Sequence, residues 1–152
     1  MGKRIPMRED DGAGALQRFI LAQERVYAAV EAELRMGRKR THWMWFIFPQ
    51  LRGLGSSFMA HTYGLDSLAE ARAYLEHPLL GDRLRTCTSL VLATRERTLR
   101  EIFGEPDDMK FHSSMTLFSA ASSDPEHVFH HALERYFDGH PDDKTLAILS
   151  DR

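Results

Sequence analysis

An aromatic segment with polar residues at both ends is the part of the chain best suited to chemistry. It spans residues 42–50, with the sequence HWMWFIFPQ, and glycines and paired serines follow it at residues 53–57. Large apolar walls that carry a few polar groups are typical of small-molecule pockets. Aromatic faces could stack a planar group, while the glycine turn and serines could present amides and hydroxyls to phosphate or ribose. The segment therefore predicts a ligand pocket.

His42 is the expected acid or base of this pocket, and Asp108 the expected partner carboxylate. Arg83 and Lys110 would receive an anionic part of the ligand. The predicted ligand-binding residues are Gln23, Trp43, Trp45, Gln50, Ser56, Tyr63, Arg83, Lys110 and Ser113.

A structural interpretation of the same residues stays open. Bulky aromatic side chains mostly serve packing. In this reading the tryptophans fill the core, and His42 and Gln50 satisfy backbone groups nearby.

Other reactive residues do not complete a known kind of site. His127 and His131 lie four residues apart, but position 128 is valine where a helical zinc-hydrolase motif needs glutamate. Cys87 falls at a core-facing position, where a thiol behaves as a small apolar group. The sequence predicts no metal and no cofactor.

Composition indicates one globular domain. The 152 residues are 43% hydrophobic, which is enough for one core, and the net charge of -2 comes from interspersed acids and bases. We expect no specific nucleic-acid partner. The one cysteine, the lack of a long apolar run and the lack of a secretory signal favour a cytoplasmic protein without membrane contact. Composition leaves the oligomeric state open.

Periodicity predicts helices along most of the chain. Residues 16–34 place apolar side chains on one face of a helix that ends at Gly37. The aromatic segment is ambiguous, and Pro49 with the following glycines favours an extended or irregular path. Capping boxes at Ser67 and Thr98 begin two further helices, His77-Pro78 ends the first of these, and a longer helix follows.

The last third of the chain continues this pattern. Residues 107–114 are expected to form a polar bridge before an apolar stretch at 115–118, Asp124-Pro125 to begin a helix that stops at Gly139, and residues 145–149 to close the fold. The predicted fold class is all-α, multihelical, with any strand short. A flexible arm would span residues 1–14 and the helical domain residues 15–152.

A series of short sequence motifs over residues 16–149 carries a resemblance to a known family. They are Arg18-Phe19, Ala22-Gln23, Tyr27, the aromatic segment with Gly53-Leu54-Gly55, Tyr63, Glu70-Ala71, Tyr74-Leu75, His77-Pro78, Leu80-Gly81, Arg83-Leu84, Ile102-Phe103-Gly104, Asp108, Lys110, 113–118, Asp143 and Thr145-Leu146. On these residues the chain resembles the bacterial family "domain of unknown function 1810", whose members are often labelled calpastatin. The resemblance implies a multihelical fold and an intracellular bacterial protein, and it brings no known activity.

The predicted function is binding of a nucleotide-like or other planar metabolite. The residues do not decide whether the chain is an enzyme. If it is, we expect a hydrolase or N-glycosidase, since the element order faintly resembles that of the NADAR superfamily, which handles ADP-ribosyl and related N-glycosidic groups; no residue is carried over. The alternative is a protein-interaction module without catalytic activity, with an exposed apolar face.

Overall fold

The fold is all-α, as the sequence predicts. The computed structural model describes the backbone of residues 4–124 and 127–151, and side chains in these ranges from residue 14 onward. Within this part of the chain ten helices are joined by loops, and the only β pairing is an isolated parallel bridge between Leu51 and Leu65. None of these helices is both long and apolar enough to cross a bilayer.

The helix bounds follow the chain order. They are α1 Arg4–Glu24, α2 Tyr27–Arg35, α3 Met44–Ile47, α4 Phe58–Thr62, α5 Leu68–Glu76, α6 Pro78–Ala93, α7 Leu99–Phe103, α8 Asp107–Ala121, α9 Val128–Phe137 and α10 Asp143–Asp151.

The central helix is α8, which packs against α5, α7, α9 and α10. Its residues 113–118 are all buried, so it has no polar face in that stretch. The predicted polar bridge at 107–114 is therefore wrong, because those residues form the first half of this helix. Thr116 fits inside it because its hydroxyl donates to the carbonyl of His112 at 2.9 Å, and the Ser113 hydroxyl lies 3.3 Å from the carbonyl of Met109.

The predicted helix between Leu16 and Gly37 is two helices. The break falls at Arg25 and Val26, where the Val26 amide donates to the Gln23 carbonyl at 3.0 Å, a tighter turn than the α-helical one. The predicted inner face is correct, since Leu16, Phe19, Val30 and Leu34 are buried.

At its amino-terminal end α1 begins at Arg4, within the residues for which the sequence predicts an arm. The division into an arm, residues 1–14, and a domain, residues 15–152, stays a prediction.

Local signals at helix ends are confirmed at several points. Thr98 and Glu101 form the complete capping box of α7, which ends at Gly104 with a φ of 78°. His77 ends α5 and caps α6, because its Nδ1 accepts from the amides of Leu79 and Leu80.

Two other end signals are confirmed only in part. Ser67 accepts from the Glu70 amide, but the Glu70 carboxylate binds the amide of Asp66 rather than that of Ser67. Pro125 lies outside the described residues; α9 begins at Val128, with the His127 side chain as its cap.

The aromatic segment contains one helical turn, whereas its composition favoured an extended or irregular path. The carbonyl of Trp43 accepts from the amides of Phe46 and Ile47, at 3.3 and 3.2 Å. Phe48 then leaves the helical region, with φ -123° and ψ 74°, in line with the bias of a residue before proline against helical angles. The turn places Met44, Phe46 and Ile47 in the core.

Candidate functional site

Trp43 lies in the core. Its side chain is fully buried and packs edge-on against Phe103 and tilted against Phe48. The indole Nε1 donates to Glu33 Oε1 at 2.8 Å. Trp43 therefore has no exposed surface to offer a ligand.

Glu33 organises the turn that leads into the aromatic segment. Its carboxylate accepts from the amides of Arg40 and Thr41, from the Thr41 hydroxyl and from Trp43, at 2.7–3.1 Å. Partial burial opposes ionisation of this carboxyl, but the hydrogen bonds outweigh it and lower its pKa below the ordinary value. The sequence analysis missed Glu33, because a glutamate beside buried Leu34 has the pattern of a solvent-facing helix residue.

Gln23 and Arg83 belong to an internal polar network. The buried Gln23 amide donates to the Phe46 carbonyl at 2.7 Å and to the Tyr74 hydroxyl at 2.9 Å, and its Oε1 accepts from Arg83 at 3.3 Å. The Arg83 guanidinium also lies 4.4 Å from the centre of the Tyr27 ring. Burial raises the pKa of Tyr74 above its ordinary value, so its hydroxyl stays protonated. This network joins α1, α3, α5 and α6.

A cleft of about 250 Å³ brings three of the predicted ligand-binding residues together: Gln50, Lys110 and Ser113. We call it the Gln50 cleft. It lies between the loop after the aromatic segment, the first half of α8 and the start of α10. Its lining residues are Gln50, Leu54, Gly55, Pro106, Met109, Lys110, His112, Ser113, Asp142 and Lys144.

A smaller recess adjoins this cleft through Gln50 and Gly55. Trp45 and Tyr63 line the recess, and the Lys110 ammonium lies 5.5 Å from the centre of the Trp45 ring. Five predicted binding residues therefore meet in one region, although they come from segments as distant as α3 and α8.

One wall of the Gln50 cleft is held rigid by Asp142. Its Oδ2 accepts from the Ser113 hydroxyl at 3.1 Å, from the Thr145 hydroxyl at 2.6 Å and from the Thr145 amide at 3.1 Å. The Asp142 amide donates to the Thr116 hydroxyl at 2.8 Å. These bonds fix the start of α10 against α8.

Other groups of the cleft are open to a ligand. The Gln50 backbone is fixed because its carbonyl accepts from the Leu65 amide at 2.9 Å, while its half-exposed side-chain amide has no hydrogen bond to any described residue. Lys144 is exposed and forms no ion pair with the described carboxylates. Lys110 pairs with Asp107 at 3.4 Å, but Asp107 also binds Lys39 at 3.0 Å.

Comparison with known proteins supplies a family. The model of the family "Protein of unknown function (DUF1810)" matches residues 13–149, which include every residue that lines the Gln50 cleft. The chain belongs to this family.

A solved structure supports the fold of this DUF1810 chain. The crystal structure of the conserved hypothetical protein Rv1873 from Mycobacterium tuberculosis is 55% identical in sequence, with a TM-score of 0.86. The match covers 89% of this chain and 96% of that one. A search of curated proteins gives no match.

The other predicted site residues of this DUF1810 member lie elsewhere. His42 is exposed in the turn before α3, and Ser56 is exposed before α4, where its neighbour Ser57 caps the helix. Asp108 accepts from the Met109 amide at 2.9 Å and lines a different cleft. His42 lines neither the Gln50 cleft nor the cleft that Asp108 lines.

The remaining reactive residues have structural partners. His127 caps α9, with its Nδ1 accepting from the His130 amide at 2.8 Å. Cys87 is buried beside the Tyr27 hydroxyl, and burial raises the pKa of its thiol to about 12. The thiol is therefore protonated at neutral pH, which makes it a poor nucleophile.

Proposed function

We propose that this protein binds a small anionic metabolite in the Gln50 cleft. The observation that carries the proposal is that the side-chain amide of Gln50, which bonds to no described residue, lines the same cleft as Lys110 and Lys144. An amide that is fixed through its backbone but free at its side chain can form two kinds of hydrogen bond with a ligand, as donor and as acceptor.

The charges of the side chains that line the Gln50 cleft favour an anionic ligand. Two lysines line the cleft, against one carboxylate, Asp142, which already accepts three hydrogen bonds at one oxygen. A phosphate or carboxylate of the ligand would replace water at Lys144 and would draw Lys110 from the carboxylate that it shares with Lys39.

The volume of the Gln50 cleft limits the size of the ligand. A cleft of about 250 Å³ lies just below the ~300–1,000 Å³ range of drug-sized pockets. It would hold one anionic group and a small organic part, such as the sugar phosphate of a nucleotide. The planar face of Trp45 contributes less than the sequence suggested, since Lys110 lies over that ring.

The arrangement supports binding better than catalysis. General acid–base chemistry needs a group within hydrogen-bond reach of the reacting atoms. In the cleft, the Asp142 Oδ2 is already occupied by three donors, and the His112 Nε2 is bonded to the His140 carbonyl at 2.8 Å. A hydrolase role through His42 and Asp108 stays a prediction.

The rival function is a protein-interaction module. Phe58 favours it, since this large apolar side chain is 81% exposed at the start of α4. The other exposed apolar residues belong to different segments: Leu21 in α1, Met36 after α2, Met109 in α8 and Leu146 in α10.

A thermal-shift screen tests the binding proposal. Purified protein is heated with nucleoside monophosphates, sugar phosphates, small carboxylates, ADP-ribose, NAD and uncharged nucleosides. A ligand that binds only the folded state raises the melting temperature by mass action. We expect a shift with one of the small anions and none with its uncharged counterpart.

Variants locate the site. Gln50→Ala and Lys144→Gln are expected to reduce the shift, whereas Gln17→Ala, on an exposed face of α1, is its matched control. His42→Ala tests the predicted acid–base residue in the same assay. No shift with any anion, or a shift that Gln50→Ala and Gln17→Ala change equally, would refute binding in this cleft.

A further inference from the structure

Three arginines line a second cleft, on the other side of Met109 and His112 from the Gln50 cleft. It has a volume of about 450 Å³, within the ~300–1,000 Å³ typical of sites for small organic molecules. Arg95 and Arg97 come from the loop between α6 and α7, and Arg135 comes from α9. We call it the arginine cleft.

Arg135 fixes the loop that carries the other two arginines. Its guanidinium donates to the Leu92 carbonyl at 2.8 Å and to the Arg95 carbonyl at 3.4 Å, at the carboxyl end of α6. A cation is favourable at this end of a helix, where carbonyl groups lack helical partners. The backbone that presents Arg95 and Arg97 is therefore held in place before any ligand arrives.

The Arg95 and Arg97 side chains are available. Both are exposed, and neither guanidinium forms a hydrogen bond or ion pair with a described residue. The one carboxylate among the lining residues belongs to Asp108, so cations outnumber anions in the cleft. In a chain with a net charge of -2, this is a local excess of positive charge.

The cleft also has an apolar and aromatic part. It includes Leu99, Tyr136 and Phe137, and the His112 ring stacks on Phe137 with 3.7 Å between ring centres. The planar fork of a guanidinium matches the oxygens of a phosphate, and the apolar part suits an organic group next to it.

We propose that the arginine cleft binds the phosphate groups of a soluble phosphorylated metabolite. Arg95 and Arg97 would hold the phosphates, and the wall of Leu99, Tyr136 and Phe137 would contact the organic part. This site goes beyond the Gln50 cleft and does not depend on it, although the two share Met109 and His112.

Isothermal titration calorimetry with inorganic pyrophosphate and with ADP tests the proposal. The variant is Arg95→Gln combined with Arg97→Gln, and Arg72→Gln on the exposed face of α5 is the charge-matched control. We expect both probes to bind, and affinity to fall about tenfold for each arginine removed, while Arg72→Gln changes little. Circular dichroism melting of the double variant should match the wild type, because neither side chain bonds to the fold.

Three results would overturn the proposal. The first is that neither probe binds the wild type. The second is that the double variant binds the probes as tightly as the control variant does. The third is that a short single-stranded DNA binds through these arginines more tightly than ADP. The last result would assign the cleft to nucleic acid instead. Gln50→Ala should retain pyrophosphate binding, so failure in the Gln50 cleft and failure here are distinguishable.

Discussion

Residues 43–48 and the loop 50–55 are neighbours in sequence, but the first segment is buried except for half-buried Trp45, whereas the second is at least partly exposed except for buried Leu51. Trp43 and Phe48 have no exposed surface, and the indole nitrogen is bonded to Glu33. In the loop, Gly53 and Gly55 are exposed and Gln50 keeps an unbonded side-chain amide. A single residue, Pro49, therefore separates a part of the core from the rim of a cleft.

Gln23 and Gln50 show the same contrast. Gln23 is buried, and its amide bonds to Phe46, Tyr74 and Arg83. Gln50 is half-exposed; its backbone is bonded, and its side chain bonds to no residue that the structure describes. A polar residue whose groups are all satisfied inside the protein stabilises the fold, whereas one with open groups at a cleft is free to bind.

Trp43→Ala should have the largest effect on stability. It removes a fully buried indole, creates a cavity and leaves Glu33 without one donor, so we expect a loss of about 3–5 kcal/mol in the free energy of unfolding. Trp45→Ala, at a half-buried ring, should cost less. Urea unfolding of both variants measures the difference, and equal losses would contradict the division between core and cleft.

Gln23→Ala should have the second-largest effect on stability. It takes one donor from the Phe46 carbonyl and one from the Tyr74 hydroxyl, which keep only the 3.3 Å contact between them, at a cost of about 1–3 kcal/mol. Gln17→Ala, exposed on the same helix, should stay within about 0.5 kcal/mol of the wild type. Chemical denaturation compares the two, and a Gln23→Ala protein as stable as Gln17→Ala would show that the network contributes nothing.

Glu33→Gln should have a smaller effect on stability, and that effect should depend on pH. The native pKa of Glu33 lies below the ordinary value of 4.5, so its contribution is present above that pH and is lost as the pH falls through the native pKa. Because the carboxylate is partly exposed, we expect a difference of about 1 kcal/mol at neutral pH.

The test is urea unfolding of wild type and Glu33→Gln on both sides of pH 4.5. The stability difference should be largest at neutral pH and should shrink on the acid side. Glu24→Gln, an exposed glutamate at the end of α1, is the control and should leave stability unchanged. If the stability difference between wild type and Glu33→Gln grew on acidification, it would contradict a stabilising role of the hydrogen-bonded Glu33 carboxylate.

Gln50→Ala should have the smallest effect on folding. Its side chain bonds to no described residue, so the free energy of unfolding should change by no more than about 0.5 kcal/mol. Thermal melting without ligand checks this. A large loss of stability would place Gln50 with Gln23 among the structural residues.

Much of the fold follows from local signals in the sequence. The Thr98–Glu101 capping box, the break at His77-Pro78 and the glycine at 104 each determine a helix end through their own geometry. The first half of α8 was missed because residues 107–114 are mostly charged or polar, which suggested a loop, while the fully buried stretch 113–118 shows no helical periodicity of apolar and polar residues.

The cleft was predictable only in part. Residue types identified Gln50, Lys110 and Ser113, which the fold brings together. Residue types could not exclude Trp43 and Gln23 from the binding site, since a tryptophan or a glutamine can occur in a core as well as in a pocket. Asp142, Lys144 and His112 join the cleft through tertiary packing of α10 on α8, for which the sequence offered no pattern.

The most direct test is calorimetric titration of the small anion that gives the largest thermal shift, with three proteins: wild type, Gln50→Ala and Trp43→Phe. We expect Gln50→Ala to bind about tenfold more weakly with unchanged stability, which corresponds to about 1.4 kcal/mol of binding free energy. Trp43→Phe should be less stable but bind with an unchanged Kd. The reverse, unchanged binding in Gln50→Ala and weakened binding in Trp43→Phe, would contradict the account.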